Sequence, residues 1–310
     1  MSIKKENMPT SLVNSHSDVE GLEAGAENNQ TTLNKQKPDK YADKYGKTIF
    51  KYFYGLWLKE SLVDVTIRTA DRDMMAHRFV LGAYSKALLD LFECNEGRMV
   101  LLDLRNVSSS DFEEVLQFLY SANVNLTDKN IRGVLLSSYR LKIRTLLRVC
   151  WQYLSRCSPE NALFHHKISR EYNLHILANK IWQYICSNFE AISRQGELEN
   201  LSLEDVVTIL SDDRLNISSE MVVVKSAILW LQKNSLKISD VWPILECIRF
   251  ALLLPDEIHS LKIHPYLSTI PGMDAKLYQA HWLVSYQYFK SCIDVVTCRT
   301  NIITSHHFAT

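Results

Sequence analysis

The stretch from Val63 to Phe92 constrains this chain more than any other. Val63, Val65 and Ile67 alternate with Asp64, Thr66 and Arg68, the period-two pattern of a strand with one face in a core. The polar run from Ala70 to Asp73 predicts a turn, after which a second short strand follows. Ala76-His77-Arg78 then opens two short helical segments that end at Phe92.

The chain has 310 residues, room for two ordinary domains. An apolar share of 46% and a formal net charge of +0 describe a soluble protein with a real core. Balanced charge leaves no bulk electrostatic footprint for nucleic acid or an anionic membrane, so neither is expected as a partner. The basic group Arg140, Lys142, Arg144 and Arg148 reads as a solvated helix face. The N-terminus lacks an apolar core segment, so no signal peptide is expected. The densest apolar run, Phe250 to Leu254, is far too short to span a bilayer and is closed by Pro255. Seven dispersed cysteines with no C-x-x-C pair fit reduced, buried thiols in a cytoplasmic or nuclear protein.

Residues 1–44 are rich in Ser, Asn, Glu, Lys and Gln and read as a disordered tail, unable to bury enough apolar surface to offset ordering entropy. At Tyr45 the composition changes. Ile49, Phe50, Tyr52, Phe53, Leu56 and Trp57 recur at helical spacing and form an apolar helix whose face must be covered. Met99 to Leu104 reads as a strand. Ser110-Asp111-Phe112-Glu113 has the form of a capping box ahead of a helix bearing Phe112, Val115, Leu116, Leu119 and Tyr120. Asn123 to Leu126 reads as a further short strand. Thr127 or Asp128 is expected to cap the helix carrying Ile131, Val134, Leu135, Ser138 and Tyr139, and Ile143 to Tyr153 gives another.

Ser158-Pro159-Glu160-Asn161 has the chemistry of a helix start, with Ser at the cap and Pro in the first position. From there to about Asp294 nearly everything reads as helix. Leu177, Ile181, Tyr184, Ile185 and Phe189 mark one face, and Ser202-x-x-Asp205 opens the next helix. Ser219 to Met221 begins one carrying Ala227, Ile228, Trp230 and Leu231, and Trp242 to Leu254 supplies another. Pro and Gly are scarce inside these segments, as an antiparallel helical array requires.

The sequence offers little that could carry catalysis. It contains no G-x-S-x-G, P-loop, G-x-G-x-x-G or H-E-x-x-H motif. With only nine glycines, a backbone phosphate cradle is not expected. His165-His166 and His306-His307 are adjacent pairs; neighbours on a helix point about 100° apart, which makes His165-His166 a poor site for one metal, and His306-His307 lies in what reads as a tail. Asp212-Asp213 sits at a helix end, where Asp favours turns. The expectation is a non-enzyme with no catalytic residues, no cofactor and no metal.

The order Asp-Val-x-Ile, then Ala-His-Arg-x-Val-Leu-x-Ala-x-Ser, from Asp64 to Ser85, closely resembles the heart of the BTB (POZ) domain. Phe-Leu-Tyr-Ser-Ala-Asn-Val-Asn-Leu, from Phe118, is similar to its closing half. Pro-Glu-Asn-Ala-Leu, Asn188-Phe189, the Leu-Glu-Asp-Val-Val phrase from Leu203, and Arg249-Phe250 resemble the BACK domain of kelch-like proteins. The resemblance implies an α+β BTB domain, a small mixed sheet flanked by helices, followed by an all-α BACK domain. The expected boundaries are 1–44 tail, 45–157 BTB, 158–295 BACK and 296–310 tail. Kelch-like proteins continue into a propeller of blades of roughly 50 residues, each with a Gly-Gly pair. No Gly-Gly occurs here, so a BTB-BACK chain without the propeller is expected.

The resemblance also implies roles for residues. Ile49, Phe50, Phe53 and Leu56 would lie in a homodimer interface, with Asp64, His77 and Arg78 supporting a charged pocket beside it. Adaptors of this kind that bind cullin-3 carry an apolar-x-Glu motif after the helix ending here at Phe92. Its counterpart is Cys94-Asn95-Glu96, preceded by Leu91 and Phe92, with Phe92 able to fill the groove in place of Cys94. The alternative is that Leu91 and Phe92 are core. Tyr120 would lie near the same cullin-facing surface unless it is a core aromatic, and Asn161–Tyr172 would complete the groove. The implied function is a dimeric adaptor bringing cullin-3 and an unidentified protein substrate together. The alternatives are a scaffold or a heterodimerising partner of BTB relatives without ligase activity, or a corepressor-type interaction protein.

Overall fold

The structure, a computed structural model, describes residues 40–95, 97–234 and 238–306; side chains are described for 45–95, 97–234, 241–287, 289 and 290. The expected tail thus lies, up to residue 39, outside the described residues. The chain divides into two compact units. One gathers residues up to Cys157 with Phe164–Lys180, and the other Ser158–Leu163 with Ile181 onward.

The first unit opens with α1 (Lys40–Leu58), followed by β1 (Val65–Arg68) and β2 (Asp73–Ala76). Next come α2 (Arg78–Tyr84), α3 (Lys86–Glu93) and β3 (Val100–Asp103). The strands form one sheet ordered β2-β1-β3. β1 pairs antiparallel with β2, Val65 opposite Ala76, and parallel with β3, Val65 opposite Val100. The parallel pairing needs a crossover, which β2 and the α2–α3 pair supply. Val65 and Ile67, both fully buried, share the core face with Met74, Ala76, Val100 and Leu102, as the period-two pattern expects. Ser85 makes the tight corner between α2 and α3: its N–H closes α2 on Leu81, and its Oγ accepts the Leu88 N–H.

α4 (Ser109–Ser121) runs through the middle of this unit, burying Phe112, Val115, Leu116, Leu119 and Tyr120. Its cap is Ser108, not the expected Ser110: the Ser108 Oγ accepts the Asp111 N–H at 3.1 Å. Asp71, from the β1–β2 turn, accepts the Ser109 N–H at 2.7 Å, and the Ser109 hydroxyl also donates to it. An acid at a helix start is favoured by the helix dipole, and this one comes from across the fold, which is why the helix begins before Ser110.

Asn123–Leu126 is not a strand. The Asn125 N–H goes to the Glu114 carboxylate at 2.9 Å and its carbonyl accepts the Asn130 amide at 2.7 Å. Side chains thus satisfy the backbone that a ladder would have served. α5 (Ile131–Arg140) starts after Asn130, with neither Thr127 nor Asp128 capping it through a side chain. Asp128 instead accepts the Tyr153 hydroxyl at 2.7 Å and lies 3.0 Å from Nε2 of the buried His165. α6 (Arg144–Leu154) completes this region, and Arg140, Lys142, Arg144 and Arg148 are all exposed.

Ser158–Asn161 forms a turn, and α7 (Ala162–Glu171) begins three residues later than expected. The Asn161 side chain accepts the Ser158 N–H at 2.8 Å, closing the turn in place of a cap at Ser158. α8 (His175–Ser187), α9 (Phe189–Ser193), α10 (Leu203–Leu210) and α11 (Met221–Asn234) follow. The Ser202 Oγ accepts the Asp205 N–H, as its spacing predicts.

α12 (Ile238–Leu245) stops short of the helix expected over Trp242–Leu254; beyond it lie a turn and a 3-10 segment, Phe250–Leu252. The reason is long-range. The carboxylate of Glu220, a buried residue, accepts the Arg249 N–H at 2.8 Å, and the Arg249 side chain reaches Ser211 and Asp213. The chain is pulled out of helix so that Phe250 is buried. α13 (Pro255–Lys262) and α14 (Met273–His306) end the described chain, α14 continuing helically through the start of the expected 296–310 tail.

Candidate functional site

The first unit leaves its first helix largely bare. Among the described side chains of α1 only Trp57 is buried; Tyr45, Ile49, Phe50, Tyr52 and Leu58 are exposed, with Phe53 and Leu56 half-buried. The Trp57 indole stacks on Tyr120, centroids 5.1 Å apart and planes 6° from parallel, anchoring α1 to α4. Phe53 meets Phe79 edge to face at 5.0 Å, and Phe79 itself stands 52% exposed. Leu62 and Met99 are exposed as well. Phe79 and Leu62 were missed in the sequence because both fall next to residues in core phase. The signal available was that Phe79, Val80 and Leu81 cannot all face one core from a single short helix.

Behind this face sits a closed polar network. The Tyr120 hydroxyl accepts the His77 backbone N–H at 2.9 Å and lies 2.6 Å from His77 Nδ1. His77 Nε2 lies 2.9 Å from the Ser61 carbonyl, which only accepts. A neutral ring therefore carries its proton on Nε2, and the Tyr120 hydroxyl donates to Nδ1. Burial pushes the Tyr120 phenol well above its ordinary value, keeping it a donor. Tyr120 is 1% exposed, the core aromatic that stood as the alternative to a place near the cullin-facing surface, and its polar tip is turned inward to His77. His77 is buried too and supports the face from behind.

Asp64 and Arg78 meet in a way that gives each a second task. The Asp64 carboxylate accepts the Arg78 N–H at 2.8 Å, capping α2, whose own cap residue His77 makes no side-chain bond to it. The Arg78 Nε donates to the Asp64 carbonyl at 3.1 Å and stands 3.7 Å from its carboxylate. The rest of the guanidinium donates to the carbonyls of Asn95 and Arg98 and lies over the Phe92 ring at 6.0 Å. The segment after α3 is therefore pinned by Arg78, with Gly97 at φ 71° making a turn that side chains disfavour.

On that segment the expected partner-docking residues separate. Phe92 is 5% exposed and lies beneath Arg78, as the alternative of a core residue has it. Leu91 is half-buried, and Cys94 is exposed. Glu96 lies outside the described residues. Cys94 also departs from the expectation of buried thiols, which Cys150 and Cys186 meet. Burial pushes the Cys150 thiol up to about 12.

Among the described residues no group of His, Cys, Asp and Glu is arranged to hold a metal ion. Among them, too, no helix is long and apolar enough to cross a membrane. His165 is committed to the Leu154 carbonyl and Asp128. Asp212 accepts from Arg214 and from the Trp182 indole at 2.7 Å, and these donors hold its carboxyl below the usual range.

Residues 53–158 match the BTB/POZ domain family and residues 162–262 the BACK family, "BTB And C-terminal Kelch". Kelch-like protein 40b of Danio rerio is 28% identical over 231 residues, covering 72% of this chain and 37% of its own length. Kelch-like protein 41 of Homo sapiens is 25% identical over 199 residues, covering 63% and 33% respectively. The chain thus spans about a third of the length of these curated relatives. The solved BTB domain of zebrafish PATZ1 overlaps 37% of this chain and 95% of its own at 19% identity, with a TM-score of 0.34.

Proposed function

The chain belongs to the kelch-like family of BTB-BACK proteins, and we propose that it is a non-enzymatic, dimeric adaptor that docks cullin-3 and holds a protein substrate beside it. Residues 45–157 would be the dimerising BTB domain and 158–295 the BACK domain. The observation that carries the reading is the bare apolar face of α1, Ile49 and Phe50 with Phe53, Leu56 and Phe79, beside the Asp64–Arg78 pair. A face of that size on a water-soluble unit calls for a partner, and a second protomer covers it symmetrically. Cullin-3 would be engaged through Cys94 and Glu96, with Leu91 at the edge. The mechanism is proximity: binding both proteins raises the effective concentration of one for the other.

A second reading, a scaffold or heterodimerising regulator without ligase activity, is favoured by one observation. With Phe92 buried, the exposed apolar side chain at the motif position is the small Cys94, and it offers little area. Titrating the chain with the cullin-3 N-terminal region separates the two. The adaptor reading expects a two-plus-two complex, tightened several-fold by Cys94→Leu and lost with Cys94→Asp or Glu96→Ala. A well-folded dimer that binds no cullin-3, with Cys94→Leu no better, leaves the scaffold reading.

A further inference from the structure

We infer that α14 pairs with α14 of a second copy of this chain as a parallel two-stranded coiled coil, along a seam beginning at Trp282. The helix carries two apolar faces. Met273, Leu277 and Ala280 are buried against α13 and the 3-10 segments Phe250–Leu252 and Leu267–Thr269. That face fades at the half-buried Val284. The other face is bare: Trp282 is 64% exposed, Tyr286 54% and Phe289 65%. Trp282 and Tyr286 stack on each other, centroids 5.5 Å apart. Aromatic groups of this size set in a row on a helix mark a contact surface.

The spacing identifies the occupant. From Trp282 the apolar series steps by four and three through Tyr286 and Phe289, and the sequence continues it to Ile293, Val296, Thr300 and Ile303. That is a period of 3.5 residues held over three heptads, along about 33 Å of helix. A straight helix drifts by about 20° per heptad from such a seam, so a strict 3.5 repeat fits another helix wound around it and not a flat surface. With Tyr286 as position a, the a positions Ile293 and Thr300 are β-branched, as parallel pairs prefer. The flanking e and g positions hold two cations, Lys290 and Arg299, and no acid. In-register parallel pairing sets Lys290 across from a serine position, Ser285, and Arg299 across from a threonine position, Thr304. No like charges meet, so a second copy of this helix is an acceptable partner without help from another protein.

The test is oxidative crosslinking of the full chain with the exposed Cys94→Ser, Cys292→Ser and Cys298→Ser, carrying Phe289→Cys on the seam or Gln287→Cys off it. The expected result on non-reducing gels is a covalent dimer with Phe289→Cys at least ten-fold more abundant than with Gln287→Cys. Ile293→Cys serves as a second seam position should Phe289→Cys disturb the helix, and it should crosslink equally well. Seam and control cysteines crosslinking alike, or neither seam cysteine crosslinking, would overturn the proposal and leave the face to another protein or another part of the chain. The contact is read at α14 itself, so the outcome is independent of any dimer made by the first domain.

Discussion

The Arg78 guanidinium donates to the Asn95 carbonyl at 3.1 Å while its backbone N–H donates to Asp64 at 2.8 Å. One residue thus ties the start of α2 and the strand region to the segment carrying Cys94. Arg78→Ala removes charge-assisted bonds from a largely buried guanidinium and is expected to cost roughly 2 kcal/mol. Lysine should recover little, since it lacks the planar fork. Hydrogen exchange supplies the check: the Asn95 and Arg98 amides should exchange faster in Arg78→Ala. Unchanged protection there would mean the segment holds its shape without the arginine.

Tyr120→Phe keeps the stack on Trp57 but removes the hydroxyl that serves His77 twice. A buried N–H is left without its acceptor, so a loss of about 2–3 kcal/mol is expected in denaturant unfolding, with the slope unchanged. A loss below about 0.5 kcal/mol would show that the network contributes little.

Gly133 is forced by packing. A Cβ there would fall within the Asp111 carboxylate and 2.6 Å from the Asp111 Cβ, because α4 and α5 approach closely at this point. Gly133→Ala should destabilise by about 1–3 kcal/mol through overpacking, more than offsetting the roughly 1 kcal/mol that alanine gains in helix propensity. A rise in melting temperature would contradict the close approach.

The second unit has an acid-sensitive tie. Hydrogen bonds from Arg214 and the Trp182 indole depress the Asp212 carboxyl below its ordinary 3.8. A depressed carboxylate contributes stability that is complete above its unfolded pKa and is lost as pH falls through its folded one. Stability should therefore hold down to about pH 4 and decline below it, with Asp212→Asn showing a shallower acid limb. Urea midpoints measured from pH 7 to pH 2.5, with Trp182 emission as the local probe, would reveal equal slopes if the tie is unimportant.

The dimer proposed for the first domain depends on the bare face of α1. Phe50→Glu should weaken dimerisation at least about thirty-fold, corresponding to about 2 kcal/mol of aromatic burial. Folding should be unaffected, because Phe50 is exposed in the protomer. Sedimentation across a concentration series gives the answer, and an unchanged dimer would place the interface elsewhere.

Local pattern alone determined much of this protein. The alternation at Val65 and Ile67, the break before Asp73 and the helix pair ending near Phe92 were legible because strand and helix periods are set by neighbouring residues. The ordered phrases around His77, Asn188 and Arg249 were equally plain and pointed to the two domains. Tertiary structure decided whatever depends on a partner distant in sequence. Asp71 starts α4 early, Glu220 and Arg249 break the helix after Leu245, and side chains from α4 and the turn before α5 dissolve the strand expected at Asn123–Leu126. Tyr120 and Phe92 were aromatic in the right register, yet only the fold turned one toward His77 and set the other beneath Arg78. A backbone or side-chain group takes whichever partner the fold brings within about 3 Å, and local spacing carries no record of that choice.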